Sequence, residues 1–169
     1  IWASSKANAT GKNADGTDKM DAPLQFIGNM DKSMKRCIIY LPLFSELKNL
    51  EIGVDDNAEL RAVENPFRHK IVIFGSSFTH GSAASAAGMT YPAFLSRQTG
   101  LYLCSLGMSG NSKLQKTMAE IMAKSDADAF ICDAFSNPTP EIIGERIRPF
   151  IETIQAKHPN KPIIFLETI

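Results

Sequence analysis

Apolar residues follow one another without interruption over residues 71–74 (IVIF), and the run ends at Gly75 and Ser76. A continuous apolar run bounded by turn residues is typical of a strand buried on both faces of a parallel sheet. Three further runs come later, at residues 101–105 (LYLCS), 129–132 (AFIC) and 162–167 (PIIFLE). The pattern therefore predicts four strands from residue 70 onward.

Between these runs the apolar positions recur at helical spacing. Residues 91–99 predict a short helix ended by Gly100. A second helix runs to about Lys124, and a third has Thr139 as its cap and Pro140 in its first position. Their apolar stripes are Leu114, Met118, Ile121 and Met122, then Ile143, Ile147, Phe150, Ile151 and Ile154. Alternating strands and helices predict a parallel sheet with right-handed crossovers and helices on both faces, a three-layer α/β/α fold.

The first 60 residues have a different pattern. Residues 1 to about 30 are polar with little periodicity and predict a loop, or the remnant of a unit whose partner strands are missing. Residues 36–43 and 47–54 are strand-like and predict a hairpin. Because a lone hairpin is not stable, we expect it to belong to a β-rich accessory domain. The predicted domains are thus residues 1–60, a partial accessory domain, and residues 61–169, the α/β unit.

Composition narrows the function classes. The 169 residues are 44% apolar and carry a formal net charge of zero, so nothing points to nucleic acid or to an anionic membrane surface. No apolar run approaches the length of a membrane span. Cys37, Cys104 and Cys132 have no metal-ligand spacing, and we predict neither a metal nor a cofactor. The first residue is Ile, so we expect the sequence to be part of a longer chain.

Candidate functional residues follow the first of the four predicted strands. Ligands of open α/β sheets bind just past the carboxyl ends of the strands, where Ser77 would present its hydroxyl on a tight turn. Such a serine can act as a nucleophile, although serine is also an ordinary turn residue. The stretch GSSFTHG is not a GxSxG elbow, and no GK[ST] phosphate signature follows it.

Three loops follow three successive strands: GSSFTHG (75–81), LGMSGNS (106–112) and DAFSNPTP (133–140). In this order and spacing they resemble blocks I, II and III of the SGNH (GDSL-like) hydrolases. The resemblance implies a flavodoxin-like fold and a serine esterase with Ser77 as nucleophile. The backbone N–H of Gly110 and the side chain of Asn137 would then complete an oxyanion hole with the N–H of Ser77.

The flanking segments resemble the branch of this family that carries a β-sandwich before the hydrolase domain. They are YLPL (40–43), LEIGV (50–54) and GSAASAAGMTY (81–91), and the resemblance extends from residue 29 to the end. It implies that residues 1–60 are part of a β-sandwich. It also implies a substrate that is an acylated, for example acetylated, carbohydrate or another small ester, and a secreted or periplasmic location.

The general base has no counterpart in the sequence. Members of the family carry Asp-x-x-His near the C-terminus, and this chain contains no such motif. We expect His69 and His158 at the far end of the sheet, and His80 in a loop or pocket-wall role beside Ser77. The base is therefore expected beyond Ile169, and the 169 residues alone should have negligible esterase activity.

Two other functions stay open at this level. The chain could be a non-catalytic carbohydrate-binding or scaffold protein that kept the fold, or a flavodoxin-like phosphate or nucleotide binder that uses GSSFTHG as an anion nest. Gly110 could serve only a turn, and Asn137, before Pro138, could bond its own backbone. The oligomeric state is not predicted.

Overall fold

The computed structural model describes residues 2–4 and 29–167. The chain divides into two compact units. One consists of Ile1–Asn65 with Ala84–Gly88, and the other of Pro66–Ala83 with Met89–Ile169. The assignment of residues 1–60 to a β-sandwich stays a prediction.

The first unit contains a two-stranded parallel sheet of β1 (Trp2–Ser4) and β2 (Ile38–Tyr40), in which Trp2 lies opposite Ile38. The predicted hairpin is wrong, because residues 47–54 contain no strand. The loop prediction is wrong for residues 2–4 and falls outside the described residues for 5–28. The apolar side chains of residues 47–54 are largely exposed. Such side chains favour a strand only where they pack against neighbouring residues.

The second unit is built on four parallel strands, and the four predicted strands are confirmed. They are β3 (Arg68–Gly75), β4 (Leu101–Gly107), β5 (Ala129–Asp133) and β6 (Ile163–Phe165), in the order β4-β3-β5-β6. Gly75 at the end of β3 lies opposite Gly107 of β4 on one side and Asp133 of β5 on the other. The carboxyl ends of these three strands therefore share one edge of the sheet.

Of the four helices in the described residues, three follow the predicted positions closely and the first was not predicted. The four are α1 (Ser77–His80), α2 (Tyr91–Thr99), α3 (Lys116–Lys124) and α4 (Pro140–Gln155), with a 3-10 turn at Ala87–Met89. As predicted, Gly100 ends α2 in a left-handed conformation and the Thr139 hydroxyl caps α4. Leu114 differs from its prediction, because it precedes α3 with a φ of 52°. No helix in the part of the chain that the structure describes is long and apolar enough to cross a membrane.

Helices cover both faces of the sheet. On one face, apolar side chains of β3 and β5 pack against α3 and α4, and the rings of Phe74 and Phe150 stack with centroids 5.7 Å apart. On the other face, the Ser105 hydroxyl of β4 donates to the Thr79 carbonyl of α1, and Ser96 of α2 accepts from the N–H of Leu103. The predicted three-layer fold is thus confirmed. The strand order reverses direction after β4, and in open α/β sheets ligands bind past the carboxyl ends of the strands at such a switch point.

Candidate active site

Ser77 is the first residue of α1 and follows β3 after a single residue. Ser76 caps the helix, because its buried hydroxyl accepts from the N–H of Phe78 over 3.4 Å. Gly81 ends it at a φ of 100°, where a side chain would be strained, and its N–H donates to the carbonyl of Ser77 over 2.9 Å. Within the described part of the chain, the half-buried Ser77 hydroxyl has no hydrogen-bond partner.

Two glycines let α1 lie directly on the strand ends. A Cβ atom added to Gly75 would come within 1.9 Å of Thr79 Oγ1, and one added to Gly107 within 2.2 Å of the backbone nitrogen of His80. No side chain fits at such distances, so residues with a Cβ at these positions would push α1 off the sheet. The glycines at the ends of β3 and β4 therefore fix the position of the helix that carries Ser77.

A partly buried hydrogen-bond network joins α1 to its neighbours. The hydroxyls of Thr79 in α1 and Tyr91 in α2 both donate to Asp133 Oδ2 at the end of β5, over 2.9 and 2.8 Å. Their own oxygens are 3.0 Å apart. Burial, and secondarily the Asp133 carboxylate, raise the pKa of Tyr91 above its ordinary value, which keeps its hydroxyl protonated. This network was not predicted from the sequence, although an aspartate that ends an apolar strand is a visible signal for it.

Gly110 lies in the loop after β4, which is attached to the end of β3. The N–H of Met108 donates to the carbonyl of Gly75 over 2.8 Å, and the N–H of Asn111 donates to the carbonyl of Met108 over 2.9 Å. Gly110 has a φ of 73°, and a Cβ atom there would meet nothing within 4 Å. Its N–H makes no hydrogen bond within the described residues. This position therefore serves a turn and also faces open space.

Asn137 lies in the loop after β5 and contacts the loop after β4. Its Oδ1 accepts a hydrogen bond from the N–H of Ser112 over 3.2 Å. Because a backbone N–H can only donate, the oxygen of the carboxamide must face Ser112 and its NH₂ group points elsewhere. No bond from Asn137 to its own backbone occurs among the described residues, so the simple turn role is not what the structure contains. Ser112 itself is buried, and its hydroxyl has no partner among the described residues.

The three histidines, all of them in the described residues, bind elsewhere than at Ser77. His80 Nδ1 lies 3.0 Å from the Ser109 hydroxyl. His158 Nε2 lies 3.0 Å from the carbonyl of Ala123, and His69 pairs with Asp128 before β5, both away from the carboxyl ends of the strands as predicted. No group of three or more His, Cys, Asp or Glu side chains in the described ranges could hold a metal ion.

Family models match both parts of the chain. Residues 68–169 match the model of the GDSL-like lipase/acylhydrolase family, and residues 2–60 match the model of the N-terminus of SGNH-hydrolase-type esterases. A comparison with the curated proteins found no match.

The solved structures that are similar to the chain include the following two. One is from Bacteroides ovatus ATCC 8483 and is classed as a GDSL-like lipase; it has a TM-score of 0.74 and 52% identity over 76% of this chain and 38% of that one. The other is a salicylyl-acyltransferase from a tetracycline biosynthetic pathway, with a TM-score of 0.50 and 24% identity over 59% of this chain and 30% of that one. The second likeness concerns the fold alone, and this chain spans well under half the length of either protein.

The family match agrees with the structure at the three loops that first pointed to it. They follow β3, β4 and β5 at one edge of the sheet, and hydrogen bonds from Met108 to Gly75 and from Ser112 to Asn137 join them. Since its model also covers more than half of the sequence, the chain belongs to the GDSL-like lipase/acylhydrolase family.

Proposed function

We propose that this chain supplies the nucleophile and the oxyanion-binding groups of a serine ester hydrolase. The observation that carries the proposal is the hydrogen bond between Ser112 and Asn137. It turns the NH₂ group of the carboxamide away from Ser112 and leaves it available as a donor. The unpartnered hydroxyl of Ser77 and the unpartnered N–H of Gly110, within the described residues, support the same assignment.

In the proposed reaction the Ser77 hydroxyl attacks the carbonyl carbon of an ester while its proton passes to a base. The carbonyl oxygen becomes negative, and donors from three loops stabilise it: the N–H groups of Ser77 and Gly110 and the NH₂ group of Asn137. The N–H of Ser77 is available because the first turn of a helix has no internal acceptor for it. The tetrahedral intermediate expels the alcohol, and water then releases the acyl group from Ser77.

We further propose that the base is a group outside these 169 residues. Each histidine of the chain contacts another partner, and the Asp-x-x-His pair of the family has no counterpart in the sequence. His80 then acts as a support for the loop of Ser109, to which its ring is bonded. Replacing His80 with Gln, which can still bond Ser109, should leave kcat within about tenfold of the parent enzyme, whereas loss of a true general base costs more.

The proposed substrate is a neutral ester, such as an acetylated carbohydrate or another small acylated molecule. The three loops GSSFTHG, LGMSGNS and DAFSNPTP contain no lysine or arginine that would attract a phosphate or a carboxylate. Their single acidic side chain, Asp133, is bonded to Thr79 and Tyr91. The acyl group to be removed should therefore be recognised without a charge.

The test compares two serine variants in the protein expressed from its whole gene. Ser77→Ala should lower p-nitrophenyl acetate hydrolysis by at least about a thousandfold, as loss of a serine nucleophile does. Ser82→Ala is the matched control, since Ser82 lies five residues further on and is exposed. Its activity should equal that of the parent. Unchanged turnover in Ser77→Ala would end the proposal and leave the non-catalytic binding protein as the better reading.

A further inference from the structure

The helix that carries Ser77 cannot hold its place by itself. It has only four residues, and a single helical turn is unstable in isolation. Its place is set by contacts made by its third residue, Thr79, which is fully buried. The Thr79 hydroxyl donates to Asp133 and also touches the hydroxyl of Tyr91, while the Thr79 carbonyl accepts from Ser105.

The same network reaches the loop of the proposed oxyanion donor. Asp133 is the last residue of β5, and Asn137 lies four residues later in the sequence. Its Oδ2 atom thus connects the helix of Ser77 with the strand that leads into Asn137. Tyr91 closes the triangle from α2 by donating to the same oxygen over 2.8 Å.

We propose that Tyr91 is a positioning residue for the ester hydrolysis. Together with Asp133 and Thr79, it fixes the position of the Ser77 helix relative to the loop of Asn137. The proposal rests on the assignment of Ser77 as nucleophile. Tyr91 touches neither Ser77 nor Asn137 by a hydrogen bond, so it acts through Thr79 and Asp133. Displacing a nucleophile by about 1 Å can lower the rate by about a hundredfold. A small shift of this short helix should therefore lower kcat.

A positioning role makes a specific prediction about pH. Burial raises the pKa of Tyr91 above its ordinary value, so its hydroxyl is protonated throughout the neutral range and donates at every pH there. Removal of the hydroxyl should therefore lower kcat by the same factor from about pH 6 to about pH 9, without changing the shape of the profile. A residue that transfers protons would change that shape.

The main experiment compares Tyr91→Phe with Tyr102→Phe in the protein expressed from its whole gene. Both variants lose one tyrosine hydroxyl, and Tyr102 lies on β4 and is 38% exposed. For Tyr91→Phe we expect kcat to fall by about ten- to a hundredfold with KM within twofold. For Tyr102→Phe we expect both constants unchanged. A kcat for Tyr91→Phe within twofold of the parent, or a pH profile of altered shape, would overturn the proposal.

A second pair of variants covers the case in which Tyr91→Phe does not fold. Thr79→Ser keeps the hydroxyl and should retain kcat within about threefold, whereas Thr79→Val has the same shape without it and should lose about tenfold or more. Equal kcat in the two Thr79 variants would also overturn the proposal. Ser77→Ala separates the two ideas: if it stays active the proposed function fails, and if it is inactive while Tyr91→Phe and Thr79→Val are normal, only the positioning role fails.

Discussion

The backbone N–H of Ser112 donates to Asn137 Oδ1 over 3.2 Å, which joins the loop after β4 to the loop after β5. One bond thereby settles two things. The oxygen of the Asn137 carboxamide faces Ser112, so its NH₂ group faces away. The same bond keeps Asn137 beside the loop that carries Gly110. The donor role proposed for Asn137 depends on this orientation.

Asn137→Ala removes that donor and should lower kcat by about a hundredfold or more, the usual effect of losing one oxyanion donor. Asn137→Asp should be at least as damaging, because a carboxylate has no NH₂ group and places a negative charge near the developing oxyanion. Asn160→Ala, at an exposed site after α4, is the control. Hydrolysis of p-nitrophenyl acetate measures all three, and an Asn137→Ala enzyme within threefold of the parent would remove this residue from the mechanism.

Gly110 and Gly100 form a natural matched pair. Their φ angles are 73° and 74°, and a Cβ atom at either would meet nothing within 4 Å. Alanine should therefore lower the free energy of unfolding by a similar amount at both, about 1–2 kcal/mol for the left-handed conformation. Only Gly110→Ala should also lower kcat/KM, by tenfold or more, because its methyl group and altered backbone would disturb the proposed oxyanion hole. Equal activity in the two variants would leave Gly110 with a turn role alone.

Local sequence signals were sufficient to predict the elements whose pattern lies within their own segment. The uninterrupted apolar run predicted β3, and the cap of Thr139 with Pro140 predicted the start of α4. Helix α1 escaped prediction because four residues contain no periodicity, and its position depends on the glycines at the ends of β3 and β4. The partner of β2 escaped because Ile38 pairs with Trp2, and a parallel pairing so distant in sequence has no local signature.

The residues of the candidate site also differ in whether the sequence predicts them. Ser77, Gly110 and Asn137 were predicted because each stands in a stretch that resembles a block of the SGNH hydrolases. The network of Tyr91 was not, because its contacts join residues 12 to 54 positions apart. Asp133 is visible in the sequence as a charged residue at the end of an apolar strand, but its partners Thr79 and Tyr91 reach it only in the folded chain.

Gly107→Ala tests the close approach of α1 to the sheet. The new methyl group would overlap the backbone of His80, which is too close for a rotamer change to relieve. We expect a loss of about 1–3 kcal/mol in the free energy of unfolding and a lower kcat, because Ser77 would move with the helix. Gly144→Ala is the opposite control: it lies within α4 in open space, and alanine there should stabilise the protein by about 1 kcal/mol. Denaturant titration with activity assays distinguishes the two, and an unaffected Gly107→Ala would contradict the close packing of α1 on β4.

The thiol of Cys132 should make stability depend on alkaline pH. Burial in the core raises its pKa from 9.0 to about 12, because a buried thiolate loses the hydration that stabilises it in the unfolded chain. The folded chain therefore keeps this proton over a range in which the unfolded chain releases it, so unfolding becomes easier as the pH rises above 9. The slope from this one group is at most about 1.4 kcal/mol per pH unit. Its contribution to stability is fully present below pH 9 and is lost progressively up to about pH 12.

Denaturant titrations at about pH 8 and about pH 11 measure this difference. Cys132→Ala should lose stability at pH 8 by leaving a small cavity, yet it should lose less than the parent does between the two pH values. Cys37→Ala removes an exposed thiol instead and should follow the parent at both. The rest of the chain is identical in all three proteins, so the comparison isolates the buried thiol. Parallel losses in the parent and in Cys132→Ala would mean that the thiolate forms in the folded core as readily as in water.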